Sequence, residues 1–344
     1  MHMWKYTSIA LGVTLAWASP SFAQQQFTQT INVDGLNRQY LIYLPVEFSE
    51  DENMPVMMWH HGGGGTANGG IYEADFRSLA DSERFIAVYA QAYPDVLEGC
   101  TCWGYEEPGG YENGNWEIDL AYTSAVIDDL VDSFNANRSR IYAGGYSMGG
   151  SYVWDLACNK SDEIAAVAPV AASMYQWTLD LCDSAAPTAI CHILGTNDFY
   201  APYDGGWVPS AAVQHSYWVD KNGSDPTPEV VNLGGGVTRY TWAEQAESCH
   251  AVQHFKRQGG GHDVPSFAVS AIWEFVSQHE LDGVTDCIET ECSGDLNGDD
   301  AVGVDDLLGV IAGWGGPDGD VDGNGTTTVD DLLLVISAWG NTCP

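Results

Sequence analysis

Three separated segments carry side chains that together can activate an alcohol for acyl transfer. The first is Gly145-Tyr146-Ser147-Met148-Gly149-Gly150, preceded by the apolar run Ile141-Tyr142-Ala143-Gly144. A strand, then G-x-S-x-G, then a helix makes a nucleophile elbow: the glycines let the backbone turn sharply and leave the serine oxygen exposed. A serine hydroxyl is a weak nucleophile until a base lies within hydrogen-bond reach. In this architecture the partners follow in the order Ser, Asp, His. Asp198, in Gly195-Thr196-Asn197-Asp198, and His262, in Gly259-Gly260-Gly261-His262-Asp263, each stand where a strand-like run hands over to a loop. They are the expected acid and base. Asp183 and Asp204 compete as acids, and His250 and His254 as bases, although neither histidine has a glycine-flanked loop. Asp263 adjoins His262 but is expected to point elsewhere.

A developing oxyanion needs fixed N–H donors. His60-His61-Gly62-Gly63-Gly64-Gly65 ends another buried run. Bare glycine backbone can approach a substrate oxygen closely, so Gly62 and Gly63, with the Met148 N–H, are expected to form an oxyanion hole. Among 13 tryptophans, Trp103, Trp116, Trp177 and Trp207 fall in loop-like stretches where a ring could stack on a sugar or phenol. This chemistry calls for no organic cofactor and no catalytic metal.

A second kind of chemistry lies near the C-terminus. Gly294-Asp295-Leu296-Asn297-Gly298-Asp299 leads to Val304-Asp305-Asp306-Leu307-Leu308, and Gly319-Asp320-Val321-Asp322-Gly323-Asn324-Gly325 leads to Val329-Asp330-Asp331-Leu332-Leu333. Each copy sets oxygen side chains at loop positions 1, 3, 5 and 12, which lets one backbone curl around a hard cation, as calcium requires. The expected ligands are Asp295, Asn297, Asp299, the Ala301 carbonyl and Asp306 in the first copy. In the second they are Asp320, Asp322, Asn324, the Thr326 carbonyl and Asp331. Position 6 wants a glycine for the sharp turn; Gly325 meets this and Asp300 does not. An amphipathic helix pattern follows each loop.

The elements that must position these groups can be read from the apolar runs. Thr28 to Leu44 alternates about Asp34-Gly35, a hairpin signal. Short buried strands are predicted over 55–60, 85–89, 140–143, 165–169, 189–194 and 252–256, with helices over 72–82, 118–134, 151–158 and 266–279. Strands alternating with helices predict an α/β fold with a mostly parallel sheet covered on both faces.

The chain has 344 residues, 45% of them hydrophobic, and carries 48 acidic against 11 basic residues for a net charge of -37. Such a surface repels phosphate backbones and anionic lipid, so neither nucleic acid nor a membrane is an expected partner. Lys5, the short apolar run 9–18 and Ser21-Phe22-Ala23 fit a secretory signal peptide over residues 1–23. Export implies that the nine cysteines meet an oxidising compartment, and their odd number leaves at least one thiol unpaired or intermolecular. Their connectivity is not readable. From Asp286 onward there are 13 Asp or Glu and no Lys or Arg. The expected divisions are therefore 1–23, 24–285 and 286–344.

Two resemblances extend this reading. The Trp59-His-His-Gly-Gly-Gly-Gly stretch, Arg140-Ile-Tyr-Ala-Gly-Gly-Tyr-Ser147-Met-Gly-Gly, Ala165-Ala-Val-Ala-Pro-Val, Gly195-Thr-Asn-Asp198 through Pro202-Tyr-Asp-Gly-Gly206, and Gly259-Gly-Gly-His262 form an ordered series. The series resembles that of secreted esterases and polyhydroxybutyrate depolymerases, relatives of feruloyl and acetyl-xylan esterases. The resemblance implies an α/β-hydrolase fold, the triad Ser147, Asp198 and His262, and a polysaccharide ester or a polyester as substrate. It departs at the acidic, glycine-rich insert 106–115, near the expected cleft mouth. The duplicated loop-helix pattern over about residues 293–341 resembles the type I dockerin domain, which implies two structural calcium ions and a cohesin-like protein partner. A serine peptidase of the same fold and a non-catalytic adhesion protein are the rival readings.

Overall fold

The computed structural model describes residues 25–95, 99–104, 116–245, 249–281, 283–284, 294–299, 301–321 and 325–340. The expected signal peptide, the insert 106–115 and Cys287, Cys292 and Cys343 lie outside the described residues.

A ten-stranded sheet organises the main body. Its first hairpin pairs β1 (Gln26–Val33) with β2 (Leu36–Tyr43). The turn lies at Asp34 and Gly35, whose φ values of 50° and 87° suit the turn that follows the right-handed twist of the strands. Next come β3 (Met54–His60), β4 (Ile86–Ala90), β5 (Ala136–Tyr146), β6 (Ala166–Val170) and β7 (Ala189–Gly195). A second hairpin, β8 (Glu229–Gly234) and β9 (Val237–Trp242), precedes β10 (Val252–Arg257). The spatial order is β1-β2-β4-β3-β5-β6-β7-β10-β9-β8. Strands β4, β3, β5, β6, β7 and β10 run parallel, with an antiparallel hairpin on each edge. The sequence missed the second hairpin, because β8 and β9 carry no buried residue and so give no apolar run.

Among the described residues, seven helices flank the sheet: α1 (Ala67–Glu73), α2 (Arg77–Glu83), α3 (Trp116–Phe134), α4 (Met148–Asn159), α5 (Gln176–Leu181), α6 (Ala211–Asn222) and α7 (Ala268–Val276). Side-chain alternation splits the core into two layers. Val56 and Met58 face the layer built with α3, α4 and Trp218 of α6. Met57 and Trp59 face the layer built with α1, α2 and α7. The single helix predicted over 72–82 is two. Ala74 is extended at φ -148°, and the Tyr89 hydroxyl holds the break by taking the Phe76 N–H and donating to the Ala74 carbonyl. Helix α6 was not predicted, since its polar residues dilute the apolar periodicity. The buried pair Arg38 and Asp119, 2.7 Å apart, ties β2 to α3, and Asp119 also accepts the Gly104 N–H.

Two buried histidines make stability depend on pH. The Nδ1–H groups of His60 and His279 donate to the Gly144 and Phe275 carbonyls, each at 3.0 Å. Burial disfavours the imidazolium and pulls both rings down from 6.5 to about 4. Below pH 6.5 the unfolded chain binds protons that the native chain does not, so this stability is lost as pH falls toward about 4. Scanning calorimetry should show a falling Tm already between about pH 6.5 and 5, above the ordinary carboxylate range. A flat Tm across that interval would contradict the assignment.

Beyond the main body, α8 (Val304–Gly313) and α9 (Val329–Ser337) follow the two acidic loops. At the start of each helix the third-residue carboxylate, Asp306 or Asp331, accepts the N-cap N–H of Gly303 or Thr328; the Thr328 hydroxyl also caps α9, and Val302, Val310 and Val335 form a small core between the helices. Among the described residues, no helix is long and apolar enough to cross a membrane.

Candidate active site

Ser147 sits between the end of β5 and the start of α4 at φ 53° and ψ -120°, the strained turn expected of an elbow. Two glycines permit this turn for steric reasons. A Cβ on Gly145 would lie 2.4 Å from the Gly149 carbonyl oxygen, and one on Gly149 would lie 2.2 Å from that of His60. Helix α4 therefore packs directly against the backbone of β3 and β5. The Ser147 N–H is anchored on the Val170 carbonyl at 3.0 Å.

Three distant segments converge here. His262 Nε2 lies 2.8 Å from Ser147 Oγ. His262 Nδ1 lies 3.0 and 2.9 Å from the two carboxylate oxygens of Asp198. Asp198 is buried, and its Oδ1 also accepts the Tyr200 and Ala201 N–H groups, each at 2.9 Å. Those donors leave a carboxylate facing Nδ1, so the proton rests on Nδ1 and the Nε2 lone pair faces the hydroxyl. The Tyr146 hydroxyl donates to the His262 carbonyl at 2.9 Å, and the rings of Tyr146 and Tyr200 flank the imidazole.

Asp263 and His254 are engaged elsewhere. Arg257 clamps Asp263 by both carboxylate oxygens, turning it from His262. His254 is buried among other histidines.

The glycine loop needs one correction. The Gly62 N–H is committed to Glu73 Oε1 at 3.1 Å, so it does not serve the expected oxyanion hole. Gly63 lies against the Met148 side chain, and its amide makes no hydrogen bond among the described residues. Glu73 was missed by the sequence reading. It sits on α1, takes the Trp59 indole N–H at 3.0 Å as well, and so braces the loop from below. Burial pushes its carboxyl above the usual range, opposed by these two donors.

Two cavities meet at Ser147. One of about 170 Å³ is lined by Met148, Ser151, Ala172, Tyr175, Trp207 and His262. The other, about 380 Å³ and more open, runs along Gly62–Gly65 with Glu73 and Tyr200. Trp207 is 61% exposed at the rim. Trp177 stacks on Tyr175 with ring centroids 4.6 Å apart. Trp103, expected as a platform for a ligand ring, is instead buried: it stacks on Tyr152 and donates to the His61 carbonyl. Trp116, at the start of α3, is half-buried and lines neither cavity.

In the acidic loops, carboxylate oxygens of Asp295, Asp299 and Asp306 lie within 4.8 Å of one another. Asn297 joins them by donating to Asp299 at 3.0 Å. Asp306 also accepts the Leu296, Asn297 and Gly303 N–H groups, which closes the loop onto α8. Ala301 follows with its N–H on Asp299. In the second copy Asp331 accepts the Val321 and Thr328 N–H groups, and Gly325 has the left-handed φ of 88° that the turn needs. Asp320 and Thr326 flank that turn; Asp322 and Asn324 lie outside the described residues. Three convergent carboxylates with oxygen donors at alternate positions fit a calcium ion.

No family model matches the chain. It is 28% identical over 257 residues to a bifunctional acetylxylan esterase/xylanase of Neocallimastix patriciarum, covering 72% of this chain and 34% of that protein. It is 30% identical over 175 residues to feruloyl esterase C of Emericella nidulans, covering 48% of this chain and 60% of that one. The chain thus spans less than two thirds of either relative. The solved acetyl xylan esterase of Aspergillus awamori superposes with a TM-score of 0.55 at 15% identity, covering 73% of this chain and 99% of that one. The chain thus has an α/β-hydrolase-like fold and is similar in sequence to feruloyl and acetylxylan esterases.

Proposed function

We propose that the chain is a secreted serine carboxylic-ester hydrolase that removes acetyl or feruloyl groups from a plant polysaccharide such as xylan. The observation that carries this reading is the unbroken contact from Asp198 through His262 to Ser147, at 2.9 and 2.8 Å. Ser147 attacks the ester carbonyl while Nε2 of His262 takes its proton. Asp198 keeps the imidazole in the productive tautomer and stabilises the cation that forms. The Met148 amide, at the N-terminus of α4, and the Gly63 amide receive the oxyanion. His262 then protonates the leaving alcohol, and a water molecule, deprotonated in turn by His262, releases the acyl group.

Cavity size supports a division of labour. The 170 Å³ cavity is smaller than the roughly 300–1,000 Å³ of sites that enclose drug-sized ligands. It suits one acyl group and leaves the sugar chain in the open groove along Gly62–Gly65. Names of the sequence relatives support acetyl and feruloyl esters as that group. The disulfides Cys100–Cys102 and Cys158–Cys182 suit export by residues 1–23, while Cys191 is a buried free thiol. The test is a panel of acetylated xylan, feruloyl methyl ester, short-chain polyhydroxybutyrate and a peptide anilide. Hydrolysis of the first two in preference to the others is expected; cleavage of the anilide alone would overturn the reading.

The tail of this protein, in the same proposal, is a calcium-folded docking module held by Asp295, Asn297, Asp299, Ala301 and Asp306, and by Asp320, Asp322, Asn324, Thr326 and Asp331. Leu308 and Ile311 of α8 and Leu333 and Ile336 of α9 are exposed at equivalent places in the repeat, an apolar surface suited to a cohesin-like protein. Three buried valines, with Leu307, Val321, Leu332 and Ala338 only partly buried against them, are too small a core to fold such a short segment without metal. Excess chelator should therefore abolish the circular-dichroism signal of α8 and α9 and leave ester hydrolysis intact. A helical signal unchanged by chelator would remove calcium from the account.

A further inference from the structure

Three buried histidines outside the hydrolytic site face one another. His192 on β7 and His254 on β10 are cross-strand partners on adjacent parallel strands, and His215 of α6 lies over them. Their candidate ligand nitrogens all lie within 4.8 Å of one another. Ring centroids are 5.2 Å apart for His192 and His215, and 4.3 Å for His215 and His254.

The outer hydrogen bonds decide which nitrogens face inward. His192 Nε2–H donates to the Ala172 carbonyl at 2.9 Å, so its Nδ1 presents a lone pair, 3.0 Å from His215 Nε2. His254 Nδ1–H donates to the His192 carbonyl at 3.0 Å, so its Nε2 presents a lone pair, beside the Tyr203 hydroxyl at 3.2 Å. Handing the distal N–H to a backbone carbonyl is how metal-binding histidines are oriented. His215 need only move its proton from Nε2 to Nδ1 to offer a third lone pair. Burial keeps the rings neutral, the form that binds metal.

We infer that His192, His215 and His254 form a binding site for a borderline divalent transition ion, with zinc the best match. Imidazole nitrogens suit Zn²⁺ rather than the hard cations that oxygen-rich loops select. Tetrahedral zinc takes nitrogens at about 2.0–2.1 Å and so holds them about 3.3 Å apart; the His192–His215 pair, at 3.0 Å, opens slightly, and His254, within 4.8 Å of both, moves inward. The Tyr203 oxygen is the neighbouring fourth donor. Trp154 and Trp242 pack edge-on or tilted against the cluster. The ion enters from a cavity of about 380 Å³ lined by Tyr203, His215, Tyr240, Trp242 and His254.

Such an ion cross-links β7, β10 and α6. Strand β7 leads into Asp198 and β10 into the loop of His262, so the clamp pins the two strands that deliver these residues to Ser147. The inference does not depend on ester hydrolysis.

The test uses the full chain, stripped with chelator and returned to buffer with excess Ca²⁺ so that the acidic loops are saturated. Co²⁺ is titrated as the probe. One equivalent per chain is expected, with the visible absorption bands of a tetrahedral, imidazole-bound ion that Zn²⁺ then displaces. Zn²⁺ at about 100-fold above its Kd should raise Tm by about 5 °C. His215→Gln and His254→Gln should each lose the bands. Because core substitutions can unfold the chain, X-ray absorption of the unaltered Zn²⁺-loaded protein is the second measurement, with three imidazoles expected in the shell. Absence of the bands, their survival in both variants, or an oxygen-only shell overturns the proposal.

Discussion

Ser147→Ala should lower kcat on nitrophenyl acetate and on acetylated xylan by about 10⁴- to 10⁶-fold. The hydroxyl oxygen is the only atom removed. The Ser147 N–H remains on the Val170 carbonyl, and the α4 N-terminus and Gly63 amide keep their places. What survives is the stabilisation those amides give to attack by water, which leaves a residual rate above the uncatalysed one. Substrate binding should change little, because the cavity walls are untouched, so the loss falls on kcat rather than KM. Alanine meets the same backbone strain at φ 53° as serine does, and Tm should shift by only a degree or two. Retention of activity to within tenfold, at an unchanged Tm, would remove Ser147 from the reaction.

Asp198→Asn should cost about 10⁴-fold in kcat while the structure stays nearly the same. The Tyr200 and Ala201 N–H groups both point at Oδ1 and need an acceptor, so the carboxamide oxygen takes that place. Its NH₂ is then left facing His262 Nδ1. An NH₂ can only donate, which forces the lone pair onto Nδ1 and the proton onto Nε2. The imidazole then meets Ser147 with a proton it cannot accept a second time. Asp263→Asn is the control: that carboxylate belongs to Arg257, and a change of less than about threefold in kcat is expected. Equal losses in the two variants, measured as kcat against the same ester, would refute the assignment of Asp198.

Glu73 shows why some of the site was not legible in the chain. Nothing around Ile71-Tyr72-Glu73 marks it as special, yet α1 sets its carboxylate against both the Trp59 indole and the Gly62 amide. Local sequence announced a glycine-rich donor loop, but not which amide was already taken. Trp103 misled in the same way. Its neighbours read as a loop, while long-range packing against Tyr152 and the His61 carbonyl made it core.

The elbow, the Asp34-Gly35 hairpin, the buried central strands and the duplicated acidic loops were all determined by the sequence alone. Each rests on interactions within a few residues: backbone sterics at glycine, the two-residue period of a pleated strand, or oxygen donors at alternate positions. Only the tertiary structure decided the contacts that cross the sheet. The register of β7 on β10 sets His254 beside His192, and the crossing of α6 brings His215 over both. The same parallel order carries Asp198 and His262 to Ser147 from 51 and 115 residues away in the chain. Such meetings depend on how apolar faces pack across the whole sheet. No local pattern of residues encodes that packing, because its energy is shared among many weak contacts rather than held by any one segment.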